Sequence, residues 1–506
     1  MWSLTSVIAL LLQGLLAAAQ TTTITSTGNP IIADGSYYSA DPAPLVVNNT
    51  VYILSGRDQA PANQNTFVIN EWQMLSSSNP NPAGAQWQFR SNIARPESIF
   101  SWAAAGTAYA AQVVQGPNGR FYLYAPVTQR STSSSDRFAI GVAVSSNPWG
   151  PFTDAHPSGP IVSQTIPQAN NIQNIDPTVL LDDTGRVYLY WGTFGALRGI
   201  ELATDMVSTI GSAVSVNSLT GFFEAPWLLK RRGTYYMLYA ANNAGTNSPC
   251  TPTSYHACIA YGTASSPLGP WTFRGVMLDI VSSTTSHPGA FELNGQWYLV
   301  YHTRDASGGG HFRRSVALDY MTWNDNASPP TINKVVQTRR AQPAAPATRN
   351  IATRAVASSV NQTPIQYWTK SLNDGWIPSN PLPPDYWSSY NGNASPQTNT
   401  LVLTWSSAVT LNGARMVFFA DQPAGSNIGV PPPASWRLEY LNGSGTWVAV
   451  SASTGYPTAV TDNPSIVSFT QISTTALRAV LTASGGNGQF GGVGVKEFEA
   501  LAPNPQ

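Results

Sequence analysis

The stretch EAPWLLKRRGTYYMLYA, residues 224–240, opens on an acid and an Ala-Pro step, climbs into a basic glycine turn and continues as a run dense in Tyr, Met and Leu. Two apolar runs flanking a tight glycine turn read as a β-hairpin. Four further stretches share the design: DPAPLVVNNTVYILSG from Asp41, AQVVQGPNGRFYLYAP from Ala111, DPTVLLDDTGRVYLYWG from Asp176 and HPGAFELNGQWYLVYH from His287. Their second strands are expected to begin at Val51, Phe121, Val187, Tyr235 and Trp297. SSNPWGPF from Ser145 and SSPLGPWTF from Ser265 are near-copies that read as outer-strand turns, and MTWNDNASPPTINKV from Met321 is expected to complete the last unit. Five irregularly spaced copies of one hairpin predict an all-β chain with a five-bladed β-propeller.

The innermost strand of each blade lines a propeller's central channel. The residues opening the hairpins should therefore converge: Asp41, Ala111 or a neighbour, Asp176, Glu224 and His287. Only 10% of the chain is charged, against about 25% in an average globular protein. Three carboxylates and an imidazole drawn from so small a supply point to chemistry in the channel. The competing reading is a structural channel holding water or an ion. A lone Asp-Pro is more simply a strand-opening turn, which does not account for Glu224.

At 506 residues the chain exceeds one compact core, and two domains are expected. Lys and Arg (25) balance Asp and Glu (25), so no net field draws nucleic acid or an anionic membrane. The 16 Trp and 21 Tyr suit neutral hydroxylated ligands that stack on rings. Residues 1–19 read as a signal peptide: the apolar run VIALLLQGLL precedes Ala17-Ala18-Ala19, with cleavage before Gln20. No later stretch has the apolar length of a membrane span. Sequons at Asn48, Asn326, Asn361, Asn393 and Asn442 fit export. A secreted monomer is the expectation. Cys250 and Cys258 are the chain's two cysteines, and in an oxidising compartment they are expected to pair; ligation of a metal together with His256 is the alternative. The propeller is assigned to residues 20–340 and a linker to 341–357, within the Ala/Pro-rich segment starting at Arg339. Residues 358–506 alternate as strands between polar turns and predict a β-sandwich.

These motifs resemble glycoside hydrolase family 43. The likeness covers residues 28 to about 340 and is carried by SADPAPLVV around Asp41, NIDPTVLLDDTGRVYLYWG around Asp176, FFEAPWLLKRRGTYYMLY around Glu224, and SHPGAFELNGQWYLVYH followed by HFRRSV. It implies a five-bladed propeller acting on plant cell-wall polysaccharide or its oligosaccharides. Position by position it implies Asp41 as general base, Glu224 as general acid and Asp176 as the residue tuning and orienting the acid. It also places His287 near the axis, where family members hold calcium or another cation, although a hard cation prefers oxygen. A water-mediated or purely structural role for His287 is the alternative, and no cofactor is required. The C-terminal region, closing with GVGVKEFEAL, resembles discoidin-type (factor V/VIII C-terminal) sandwiches, a jelly-roll, galactose-binding-like fold.

The chemistry also follows from the residue types. Glycoside hydrolysis needs an acid at the leaving oxygen and a carboxylate on the other face of the sugar. Carboxylates facing across a channel suit the wider gap of an inverting enzyme, about 6.5–9.5 Å. One of Arg313 and Arg314 is expected to face the pocket and keep Asp41 ionised. Trp102 and Phe223 are read either as sugar-contacting walls or as packing. Among the activities that the family resemblance implies, the favoured one is an exo-acting α-L-arabinofuranosidase on arabinoxylan or arabinan. A β-xylosidase, an endo-arabinanase, a galactan- or galactofuranose-active enzyme and a non-catalytic sugar-binding propeller are the alternatives.

Overall fold

The computed structural model describes residues 21–242, 250, 256–282, 285–339, 349–378 and 385–504. The expected leader and its cleavage point lie outside these residues.

Five antiparallel sheets follow one another along the chain. Their inner strands are Ala40–Val47, Gln112–Gln115, Thr178–Leu181, Phe222–Arg231 and Gly289–Leu293. Each pairs with the next strand in the chain, and these second strands start at Thr50, Phe121, Val187, Thr234 and Gln296, within one residue of the expected positions. Consecutive inner strands touch, and the fifth touches the first. The ring is closed, and the propeller is confirmed.

Aromatic second strands fill the space between blades. Tyr188, Tyr190, Tyr236, Tyr239 and Tyr301 are fully buried, and buried hydroxyls need partners. Tyr124 donates to the Met206 carbonyl at 2.6 Å, Tyr190 to Pro267 at 2.9 Å and Tyr239 to Thr220 at 2.7 Å. The first two bonds tie the second blade to the third and the third to the fourth, and the last fixes the segment that enters the fourth inner strand. The two near-copied turns adopt one geometry, with cis Gly150-Pro151 and Gly269-Pro270 and glycine φ of 90° and 91°.

The fifth blade departs from expectation. Its sheet has three strands, ending with Ser315–Met321, while Trp323–Asn324 and Thr331–Ile332 form a separate ribbon. The free edge is covered from the other end of the chain. Asn29 clasps Leu318 through both backbone groups, at 2.7 and 3.0 Å, and the Ile31 amide bonds the Val316 carbonyl at 2.9 Å. An unpaired edge is a liability, and the residues after the first strand remove it.

The C-terminal region is a seven-stranded, β-sandwich-like sheet built on two long bulged strands, Thr398–Phe419 and Val467–Thr482. The expected linker ends too late. Ile351 and Ala352 are buried in this core, the Ile351 amide bonds Ala500 at 2.8 Å, and Val356–Ser359 pairs with the first long strand. Alanine-rich sequence conceals these contacts because alanine carries no strong pattern of its own. Arg304 of the fifth blade binds Asp385 at 2.9 Å and Asp374 at 2.6 Å and lies 4.0 Å above Trp376, so the sandwich-like region is docked on the propeller. Cys250 and Cys258 form a disulfide, and His256 packs on Trp368 and faces Asp385 at 3.3 Å.

Candidate active site

The hairpin entries of the first and fourth blades are bulged. In the first blade, pairing jumps from Ala40 opposite Gly56 to Ala43 opposite Leu54. Asp41 sits in that break with a left-handed φ of 56°. Asp176 has φ 55° and Ala225 φ 56°, each just before a proline. Bulges re-aim side chains beside active sites, and such backbone persists only where its surroundings impose it. The fourth-blade counterpart of Asp41 and Asp176 is therefore Ala225, and the expected equivalence of Glu224 is corrected. Glu224 lies one position earlier, opposite Ala240, and reaches the same space with a side chain one carbon longer.

Asp41, Asp176, Glu224, His287 and Arg314 line a single cavity of about 250 Å³. Apolar walls come from Phe67, Tyr109, Phe138 and Phe194. The second blade contributes Tyr109 and Ala110, the neighbours of the expected Ala111.

The carboxyls are driven in opposite directions. Burial alone would raise the pKa of Asp41. The guanidinium of Arg314, with Nη1 at 2.8 Å, outweighs burial and holds Asp41 well below the usual carboxylate range. Arg314 is itself fixed by Asp58, which accepts from Nε at 2.8 Å, Nη2 at 3.0 Å and the Arg314 amide at 2.9 Å. Glu224 is pushed the other way. Burial and then the charge of Asp41 raise it, the Thr193 hydroxyl (3.0 Å) and Arg314 oppose, and it rises from 4.5 to about 7. Asp176 is also raised, by burial and by repulsion from Glu224 and Asp41, although the Ala225 amide donates to it at 3.1 Å. Asp176 and Glu224 therefore titrate as a pair.

Burial pushes His287 down to about 4 against the pull of Asp41, so its ring is neutral near pH 7. The surroundings do not fit calcium. Asp41 is held by Arg314, and His302 is spoken for at both nitrogens, donating from Nε2 to the Thr285 carbonyl at 3.0 Å and accepting the Asp41 amide at Nδ1 at 3.3 Å. His287 stands 3.5 Å from Asp41, and among the described residues no group of three or more His, Cys, Asp or Glu is arranged for a metal.

Of the two arginines, Arg314 faces the cavity. Arg313 instead donates to the carbonyls of Gly308 at 2.7 Å and Pro61 at 3.1 Å. Trp102 is not in the lining; it packs on Phe100 at 5.2 Å within the second blade. Phe223 also lies outside the lining and borders an adjoining cleft. Asp58, Thr193 and His302 were missed by sequence reasoning because each sits beyond its hairpin's entry, in GRD, WGTFG and VYHTR, where no repeat marks it. Replacing Arg314 with Met strands two buried carboxylates, and the loss of one partner from a buried pair costs about 3–5 kcal/mol. The unfolding midpoint in urea should drop accordingly; an unchanged midpoint would show that the network is solvated.

The geometry can be set beside known proteins. The glycosyl hydrolases family 43 model matches residues 27–329. Arabinoxylan arabinofuranohydrolase of Bacillus subtilis (strain 168) is 30% identical over 362 residues, 62% of this chain and 66% of that protein. Beta-D-galactofuranosidase xynD of Aspergillus niger is 33% identical over 200 residues, 38% of this chain and 55% of that protein. The chain thus spans less than two thirds of the length of these relatives. Among solved structures, CoXyl43, a GH43 beta-xylosidase/alpha-arabinofuranosidase from a compost metagenome, in complex with xylotriose and calcium-free, superposes with TM-score 0.51 at 25% identity, over 63% of this chain and 100% of that one. A Bacillus subtilis family 43 arabinoxylan arabinofuranohydrolase in complex with cellotetraose shares the fold over 95% of this chain and 99% of that one, with TM-score 0.50 and 21% identity. With the propeller, the converging carboxylates and the family match over most of the catalytic region, this chain belongs to glycosyl hydrolase family 43.

Proposed function

We propose that this protein is a secreted, inverting hydrolase that releases L-arabinofuranose from arabinoxylan or arabinan. The observation carrying this reading is the opposed protonation of Asp41 and Glu224 in one cavity. Glu224, protonated to about pH 7, gives its proton to the leaving oxygen. Asp41, ionised throughout, takes a proton from the attacking water. Arg314 holds Asp41 charged, Asp176 orients the acid by accepting the Ala225 amide, and burial together with the charge of Asp41 keeps Glu224 protonated. The neutral His287 is placed for a sugar hydroxyl. No cofactor enters the reaction. The arabinofuranohydrolase name of the Bacillus relative supports the sugar. The C-terminal region is proposed to bind the polymer, which an affinity gel containing arabinoxylan tests.

A second reading, release of β-D-galactofuranose, is favoured by the 33% identity with the Aspergillus enzyme. The two sugars share a ring configuration and differ by one exocyclic carbon, a difference that apolar pockets discriminate only modestly. Product analysis on arabinoxylan, arabinan, xylo-oligosaccharides and galactofuranosides decides: arabinose as the dominant product supports the proposal, while xylose or galactose overturns the sugar assignment. Early-time proton NMR should show the inverted anomer, and first release of the retained one would remove the water-activating role of Asp41.

The pH dependence follows from the same pair. The kcat/KM profile should be flat at mildly acidic pH and fall about tenfold per pH unit above pH 7, as Glu224 loses its proton. A profile still rising at pH 8 would contradict the acid assignment.

A further inference from the structure

Phe194 is 71% exposed, the most exposed phenylalanine, tyrosine or tryptophan among the described residues, and it holds a left-handed φ of 50°. For a bulky residue that backbone is costly, yet the loop is firmly held. Gly192 has φ 136°, and a Cβ there would meet the Ala196 carbonyl oxygen at 2.0 Å. The Gly195 amide bonds the Phe223 carbonyl at 3.1 Å, and the Thr193 hydroxyl bonds Glu224 at 3.0 Å. A short loop thus grips the strand of the acid on both sides of Phe194 and lifts its ring into solvent. Phe223 meets that ring edge-to-face, with centroids 5.5 Å apart at 83°.

Phe194 also stands on a divide. One side lines the cavity of the carboxylates. The other borders an open cleft of about 520 Å³ whose lining includes Asn217, Leu219, Gly221 and Phe223. The acid must touch the glycosidic oxygen, so the departing sugar lies on the Glu224 side of the cavity. Gly221 and Phe223 belong to the segment that carries Glu224, so this cleft adjoins that side. We infer that the cleft is the leaving-group subsite: Phe194 stacks on the face of the sugar that departs, and Asn217 is placed for its hydroxyls. The ligand class is a neutral pyranose or furanose chain. The inference rests on the hydrolase reading above, but not on which sugar is released.

The test compares wild type with Phe194→Ala and Phe194→Tyr, using the branched or linear oligosaccharide that the wild type cleaves. The free monosaccharide product serves as competitive inhibitor, because it reports on the cavity without a leaving group. Phe194→Ala should lose about tenfold in kcat/KM on the oligosaccharide, chiefly in KM, and no more than about threefold in inhibition by the monosaccharide. Phe194→Tyr should recover most of the loss. Wild-type kinetics in Phe194→Ala, or equal losses in both readouts, would overturn the subsite. A wild type that releases xylose or galactose would overturn the arabinose assignment instead, while the Phe194 comparison on that substrate still decides the cleft.

Discussion

Replacing Glu224 with Gln should lower kcat/KM on arabinoxylan oligosaccharides by about 10²–10⁴-fold, the range of one positioned general acid. The amide keeps the shape and can still accept the Thr193 hydroxyl, but it has no proton to give. A nitrophenyl arabinofuranoside needs far less help at its leaving oxygen, so its loss should be at least tenfold smaller. The alkaline fall above pH 7 should also disappear. Equal losses on both substrates would show that Glu224 is not the acid. Stability moves oppositely. In the folded chain Glu224 holds its proton to about pH 7, whereas unfolded it ionises near 4.5. The unfolded state therefore binds fewer protons across that window, and stability falls as pH rises through it. Gln removes this penalty, so the variant should melt above wild type at pH 8 and lose that advantage below pH 4.5.

Asp41→Asn is expected to cost about 10⁴-fold on both kinds of substrate, at the upper end of what a general base supplies. An amide cannot take a proton from water, whatever the leaving group. The contrast with Glu224→Gln is diagnostic: the acid variant discriminates between leaving groups and the base variant does not. Folding should survive, because Asp58 retains its hydrogen bonds to Arg314 and the guanidinium keeps a counter-charge. An Asp41→Asn enzyme within tenfold of wild type on either substrate would place the base elsewhere.

Much of this was legible before any coordinates. The five hairpins announced themselves because each carries its own turn chemistry and strand pattern within about sixteen residues, and local signals survive in sequence. Asp41 and Asp176 stood out because they open those hairpins directly before a proline, and Glu224 because it opens the fourth hairpin with one residue between it and its proline. Its one-residue offset was invisible, since a bulge depends on the partner strand. Asp58 and His302 were invisible for a related reason. Each acts across a blade boundary, on Arg314 or Asp41 more than 250 positions away in the chain, and nothing in their immediate sequence records that contact. The closure of the fifth blade by Asn29 is likewise a pairing of distant segments, as is the entry of Ile351 into the C-terminal core. Trp102 shows the opposite failure: a large aromatic beside a channel strand looked equally suited to wall and core, and only packing decided.

The most direct measurement is a carbon NMR titration of the side-chain carboxyls in protein labelled at Glu, read as the difference between wild type and Glu224→Gln. The resonance lost in the variant should titrate near pH 7, and Asp41→Asn should lower that midpoint by removing a nearby negative charge. A lost resonance that titrates in the ordinary glutamate range, near 4.5, would contradict the shared cavity and the proton-donor role built on it.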